Sequence, residues 1–112
     1  MKPLLKNDLE NFTLRFDKFI DAEIRSINVI SATSIKVTMA CQDRSRGFDW
    51  LCITLEFSNV SDASLVDTSK LPFIDMSEGI EIRYEDSKFI FTIKNATIFI
   101  ASSSIKYEES PF

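Results

Sequence analysis

Two runs of strict alternation between Ile35 and Phe57 constrain this chain more than any other feature. Ile35, Val37, Met39 and Cys41 fall on one face of a first strand, and Leu51, Ile53, Leu55 and Phe57 fall on one face of a second. That is the period-two pattern of a half-buried sheet, and the two apolar rows must meet. With Arg44 set opposite Phe48, the pairs become Cys41 with Leu51, Met39 with Ile53, Val37 with Leu55 and Ile35 with Phe57. The reverse face then places Lys36 against Glu56 and Thr38 against Thr54, cross-strand pairs worth about 0.2–1 kcal/mol each. A slip by one residue pairs Cys41 with Cys52, but it also sets Val37 against Glu56 and Ile35 against Ser58, so burial decides against it. The favoured register leaves Ser45-Arg46-Gly47 as the loop, with Gly47 left-handed in a type I turn plus G1 bulge.

A length of 112 residues, 45% hydrophobic, with only two glycines and three prolines, describes one folded, strand-rich domain spanning 1–112 rather than a disordered chain. Ten phenylalanines supply much of its core. The net charge is −4 with the acids spread along the chain, so no basic stripe exists to follow a phosphate backbone, and nucleic acid is not an expected partner. The opening Met1-Lys2-Pro3-Leu4-Leu5-Lys6 has no apolar run of signal-peptide length, and nothing later approaches a membrane span. A cytoplasmic protein with no membrane partner is the expectation.

The favoured register sends the two cysteines to opposite faces, Cys41 inward and Cys52 outward, so no disulfide between them is expected. There is no histidine, which removes Ser-His-Asp and Cys-His catalysis and the usual four-ligand zinc sets. No cofactor or metal is expected, and catalysis is disfavoured.

Asn7-Asp8-Leu9-Glu10 reads as a helix start, with Asn7 and Glu10 as a capping box. Leu9, Phe12, Phe16, Phe19 and Ile20 then form one stripe at helical spacing, with Asp8, Glu10, Arg15, Asp17 and Lys18 on the wet side. So short a helix must pack on the sheet. The next run, Ile24 to Ile30, changes parity between Ile24 and Ile27, predicting a bulge near Arg25 and Ser26. Val29 opposite Ile35 and Ile27 opposite Val37 complete a three-strand meander. After Phe57 the alternation lapses for about twenty residues, where a helical turn near Ser61 to Leu65 and anchoring by Leu71, Phe73 and Ile74 are expected. A second meander follows. Asp86-Ser87 forms a turn pairing Tyr84 with Phe89, Ile82 with Phe91 and Ile80 with Ile93, and Asn95-Ala96 forms a turn into a last strand ending near Tyr107. Glu108 to Phe112 reads as a frayed tail. The expected class is α+β, an N-terminal helix packed on a curved, mostly antiparallel six-stranded meander sheet; a two-sheet sandwich or partly open barrel is the alternative.

The densest polar cluster is Asp43-Arg44-Ser45-Arg46-Gly47-Phe48-Asp49-Trp50. Asp43 faces Asp49, and two carboxylates at a hairpin end can take a hard cation or share a proton, but calcium takes six or more oxygens and only these two converge. The plainer expectation is a solvated salt network with Arg44 and Arg46. Trp50 points to the reverse face: it is core if a later segment covers that face, and otherwise an exposed apolar patch with Cys52 and Ala40. Asp43, Arg44, Arg46, Asp49 and Trp50 are the candidate partner-binding residues. The serines at 61, 64 and 102–104 lack a base or glycine-rich turn and read as turn and edge chemistry, while Asp62, Asp67, Asp75 and Glu78 form an acidic rim able to steer a basic partner.

The short helix, then Phe19-Ile20-Asp21-Ala22-Glu23-Ile24 entering a strand, then Trp50 to Phe57 followed by Asn59-Val60-Ser61-Asp62, resembles small uncharacterised bacterial proteins, including some immunity-type proteins of polymorphic toxin systems. The likeness covers roughly the first two thirds of the chain and carries no functional residue with it. It implies an acidic globule that blocks a protein partner. The expected function is therefore a non-catalytic protein-binding module, an immunity-type inhibitor of a basic partner; the alternative is a small-ligand binder or enzyme using a pocket between helix and sheet. A homo-oligomer through an exposed edge strand is a further expectation.

Overall fold

A computed structural model describes residues 1–112, with elements in the order β1 (Lys2–Pro3), α1 (Leu9–Arg15), β2 (Glu23–Ser31), β3 (Ser34–Asp43), β4 (Asp49–Ser64), β5 (Ile80–Glu85), β6 (Lys88–Ile93) and β7 (Phe99–Pro111). The strands form one antiparallel sheet of order β2-β3-β4-β7-β6-β5, and β1 adds a short seventh strand to β7. This is an α+β fold on an open sheet, with one strand more than the pattern of alternation predicts. Lys2–Pro3 is too short to show a period of two.

The register of β3 on β4 is the one burial selects: Ile35 faces Phe57, Val37 Leu55, Met39 Ile53 and Cys41 Leu51. All eight side chains are buried. On the reverse face the Thr38 and Thr54 hydroxyls lie 3.0 Å apart and Lys36 Nζ lies 3.6 Å from Glu56. Cys41 is buried and Cys52 half-buried, both as free thiols. β2 pairs with β3 as expected, Val29 on Ile35 and Ile27 on Val37, with the expected bulge between Ile24 and Ser26 and a second irregularity between Val29 and Ser31. β5 and β6 pair Tyr84 with Phe89, Ile82 with Phe91 and Ile80 with Ile93. Asp86 and Ser87 have φ of 52° and 63°, the left-handed pair that a two-residue hairpin turn needs.

The two meanders join through their last strands. β4 pairs with β7 from Leu51 on Pro111 to Ser64 on Phe99. Two expectations are corrected by this long ladder. Residues Ser61–Leu65 hold no helical turn; β4 runs on to Ser64, bending at Asn59 (φ 54°) and bulging between Val60 and Asp62, because β7 continues to supply hydrogen bonds after β3 has ended. Residues Glu108 to Pro111 are ladder rather than frayed tail, for the same reason. The helical turn of the crossover comes later, at Thr68–Phe73, started by the Asp67 carboxylate accepting from Ser69 N–H. Leu71 and Ile74 pack on the core, but Phe73 is 85% exposed and anchors nothing.

The N-terminal helix is shorter than its stripe. No capping box forms; Asn7 sits in a 3-10 turn, Lys6–Asp8, closed by Asp8 N–H donating to the Leu5 carbonyl. The α-helix ends at Arg15, and Asp17, Lys18 and Phe19 follow with φ of 54°, 56° and 58°, a left-handed turn. Phe16 and Phe19 stay buried through this reversal while Ile20 is thrown to the surface. Phe12, Phe16 and Phe19 stack with ring centroids 5.2–6.0 Å apart, and Tyr107 lies 4.9 Å from Phe12. Residues Asp17–Phe19 touch both β3 and β5, strands from opposite halves of the sheet, so the sheet curls around the aromatic stripe. The crossover closes the gap: Asp21 N–H donates to the Met76 carbonyl at 2.8 Å, and Gly79 (φ 70°) is seated on the left-handed turn. No helix is long and apolar enough to cross a membrane.

The two glycines separate backbone strain from steric contact. A Cβ on Gly47 (φ 65°) meets nothing within 4 Å, so Gly47→Ala should cost only the left-handed penalty, about 1–2 kcal/mol. A Cβ on Gly79 lies 2.1 Å from the Lys18 carbonyl oxygen, so backbone must move, and Gly79→Ala should cost more than about 3 kcal/mol. Urea unfolding of both variants measures the difference; equal losses would contradict the packing described.

Candidate functional site

The inner row of β3 does not stop at Cys41. Asp43 has the same parity and is fully buried, at the end of the hairpin where the apolar row runs out. A carboxylate can be held there only if its oxygens are satisfied. Arg15, at the last turn of α1, donates from Nη2 to Oδ2 at 2.7 Å and from Nε to Oδ1 at 3.1 Å, a bidentate pair. Ser45 adds its backbone N–H at 2.9 Å and its hydroxyl at 2.6 Å, both to Oδ1. The same guanidinium reaches across to Glu109 on β7, at 2.8 Å and 3.4 Å, and lies 4.7 Å from the centre of the Phe16 ring. One arginine thereby ties α1, β3 and β7 together.

These contacts hold the Asp43 carboxyl down at a pKa of about 2, chiefly through the Arg15 hydrogen bonds, with burial opposing and the Ser45 donors helping. Arg15 is shifted upward, first by the Asp43 bond. Burial, with the Asp43 charge next, pushes the Cys41 thiol up to about 12, so it stays protonated and inert. No buried side-chain nitrogen or oxygen lacks a partner.

The expected solvated network of Asp43 with Arg44 and Arg46 is corrected accordingly. Asp43 is buried, its main partner is Arg15, and only Arg46 approaches it from the loop, at 3.6 Å. Asp43 does stand opposite Asp49 in the register, yet its oxygens are already taken by cationic and hydroxyl donors. Asp49 is exposed and makes no ion pair, as is Arg44. The loop is also wider than expected: pairing ends at Asp43 and Asp49, and Phe48 joins Gly47 in the left-handed region.

Beside this buried network the reverse face carries an aromatic corner. Trp50, 42% exposed, lies 5.6 Å from the ring of Phe112, itself 64% exposed, and Arg25 stacks over Phe112 at 5.0 Å. Of the two readings of Trp50, core fails because no later segment covers it, and the exposed patch holds with Phe112 in place of Ala40, which is buried, and Cys52, which is half-buried. A groove of about 490 Å³ runs along the corner, lined by Arg46, Asp49, Trp50, Leu51 and residues 109–112. Of the five candidate residues, the groove gathers Arg46, Asp49 and Trp50, Asp43 lies buried at its hairpin's end, and Arg44 stands outside.

Sequence reasoning missed Arg15, Glu109 and Phe112. Arg15 is three residues beyond Phe12 and so on the edge of the helical stripe, a signal that was available. Glu109 and Phe112 depend on β7 lying beside β4, which no local pattern announces. The space between helix and sheet, where a ligand pocket was the alternative, is filled by Phe12, Phe16 and Phe19; a cleft of about 260 Å³ remains at the helix flank between Asp8, Asn11, Arg15 and Tyr107. No family model, curated protein or solved structure matches this chain.

The lowered Asp43 pKa sets a pH dependence. Because the folded value, about 2, lies below the usual 3.8, the stabilisation is complete above pH 3.8 and is lost as the pH falls toward 2. The loss is about 2 kcal/mol for this fully buried side chain. Denaturant unfolding between pH 5 and pH 2 should show this decline in the native chain, and Asp43→Asn should start less stable and lose that component of the slope. An unchanged slope in the variant would contradict it.

Proposed function

We propose that the chain is a non-catalytic protein-binding module, an inhibitor of the immunity type directed at a basic partner. The observation that carries this reading is the Trp50–Phe112 pair, which neither the crossover nor the second hairpin covers. Tryptophan is the residue most enriched where binding energy concentrates, and here it sits on a strand paired on both sides, with little freedom to lose on association. The unpaired Asp49 beside it and the net charge of −4 favour a basic partner by steering its approach. The likeness of the Phe19–Ile24 and Trp50–Asp62 stretches to immunity-type proteins points the same way.

Affinity capture from the source cells, with the native chain and Trp50→Ala side by side, tests the proposal. The native chain should retain one basic protein in stoichiometric amount, and the variant should lose it by about 30-fold, the effect of a 2 kcal/mol anchor, with its thermal midpoint unchanged. Retention of the same proteins by both forms, or of nothing above background, would overturn it.

A further inference from the structure

The edge of the sheet beyond β2 is uncharged from Ser26 to Ser31 and bears apolar side chains on both faces. Edge strands of monomeric sheets are ordinarily blunted by lysine, proline, a bulge or a covering loop. The first part of β2 has such protection: its bulge falls between Ile24 and Ser26, and the turn Thr68–Phe73 packs against it, Leu71 and Pro72 sharing a cleft with Ala22–Arg25. The second part has no lysine, proline or covering loop, its one irregularity falling between Val29 and Ser31 at the turn into β3, and Asn28 to Ser31 are all exposed. Val29 belongs by parity to the inner row, opposite Ile35, yet is 62% exposed, and Ile30 on the other face is 57% exposed. Beside Val29 an apolar groove of about 430 Å³ opens toward the overhanging end of β4, lined by Ala32, Ile35, Val60, Ala63 and Leu65.

We propose that this edge pairs with the same edge of a second copy, antiparallel about a two-fold axis, continuing the sheet across a dimer. Such an axis makes one residue face itself, which leaves few registers. Centred on Asn28, it places Ile27 opposite the second copy's Val29 on the inner side, twice, and Ser26 opposite Ile30 on the outer side. The ladder then runs from Ser26 to Ile30, and no charge enters it. Centring on Val29 sets Ile27 against Ser31 and Asn28 against Ile30, wasting both apolar rows. Centring on Ile27 sets Arg25 against Val29 and Ser26 against Asn28, which puts a charge on an apolar side chain. Two copies of net charge −4 repel elsewhere, so an uncharged strand that matches itself is where they can meet. An unrelated extended peptide fits the backbone edge but not this self-match. The pairing lies at the Ser34–Ser58 end of the β3–β4 ladder, whereas Trp50 pairs with Gln42 at the other, so the aromatic corner stays open and the proposal stands apart from the partner-binding reading.

Light scattering on the full chain across a concentration series tests it. The mass should rise from 12.8 kDa toward twice that value as concentration rises. Val29→Lys and Ile30→Lys, both at exposed positions, should each hold the mass at the monomer value with unchanged far-ultraviolet circular dichroism, while Trp50→Ala should still dimerise. In a Cys52→Ser background, Asn28→Cys should cross-link to its symmetry mate on oxidation and Ser26→Cys should not, since only directly opposed residues meet disulfide geometry. A chain that stays monomeric to millimolar concentration, a dimer indifferent to both lysines, or cross-linking at 26 rather than 28 would overturn the proposal.

Discussion

β4 is the constraint on which the molecule depends. It joins the two halves of the sheet, with β3 on one side and β7 on the other, and its Leu51, Ile53, Leu55 and Phe57 all face the core. Burying each such side chain contributes about 1.5–3 kcal/mol, and a slip by one residue exposes all four together. The cooperative loss makes the register unambiguous. From it follow the burial of Cys41 and Asp43, the outward turn of Trp50, and the contact of Phe57 with Phe91, 5.1 Å between centroids, which brings the second hairpin onto the same core.

The polar end of that row is handled by one ion network. A buried carboxylate with one partner removed is costly, whereas a fully paired one is close to neutral. Asp43, Arg15, Ser45 and Glu109 meet that condition, and their role is to fix geometry: the helix end, the hairpin tip and the last strand are held in one arrangement. The aromatic corner takes its position from this arrangement, because Phe112 directly follows the strand that Glu109 ties down. Buried and exposed side chains thus alternate along the same few residues, one on each face of the sheet.

Strand alternation made the pairing of all three local hairpins legible, since period-two burial is a short-range effect, although the β3–β4 tip is wider than its turn residues suggest. The Asp43 site was half legible: extending the odd row of β3 by one step predicts its burial, but a carboxylate at a hairpin tip reads more simply as solvated. The β4–β7 ladder was not legible, because pairing between strands far apart in sequence is decided by the closure of the whole core. The left-handed turn at Asp17–Phe19 was hidden for a different reason. None of the three is glycine, so nothing local requests a positive φ; burial of Phe16 and Phe19 on both sides of the reversal sustains it. Phe73 shows the converse, an aromatic in a helical turn that tertiary structure leaves in water.

β4 lies under the aromatic corner, so the face proposed for partner binding would lose little freedom on contact. Native-state hydrogen exchange examines the central claim most directly. The amides of Leu51 to Phe57, with their neighbours on β3 and β7, should exchange only through global unfolding, while α1 and the β5–β6 hairpin open earlier at lower free energy. Fast local exchange along β4 beneath a protected β5–β6 hairpin would contradict the account.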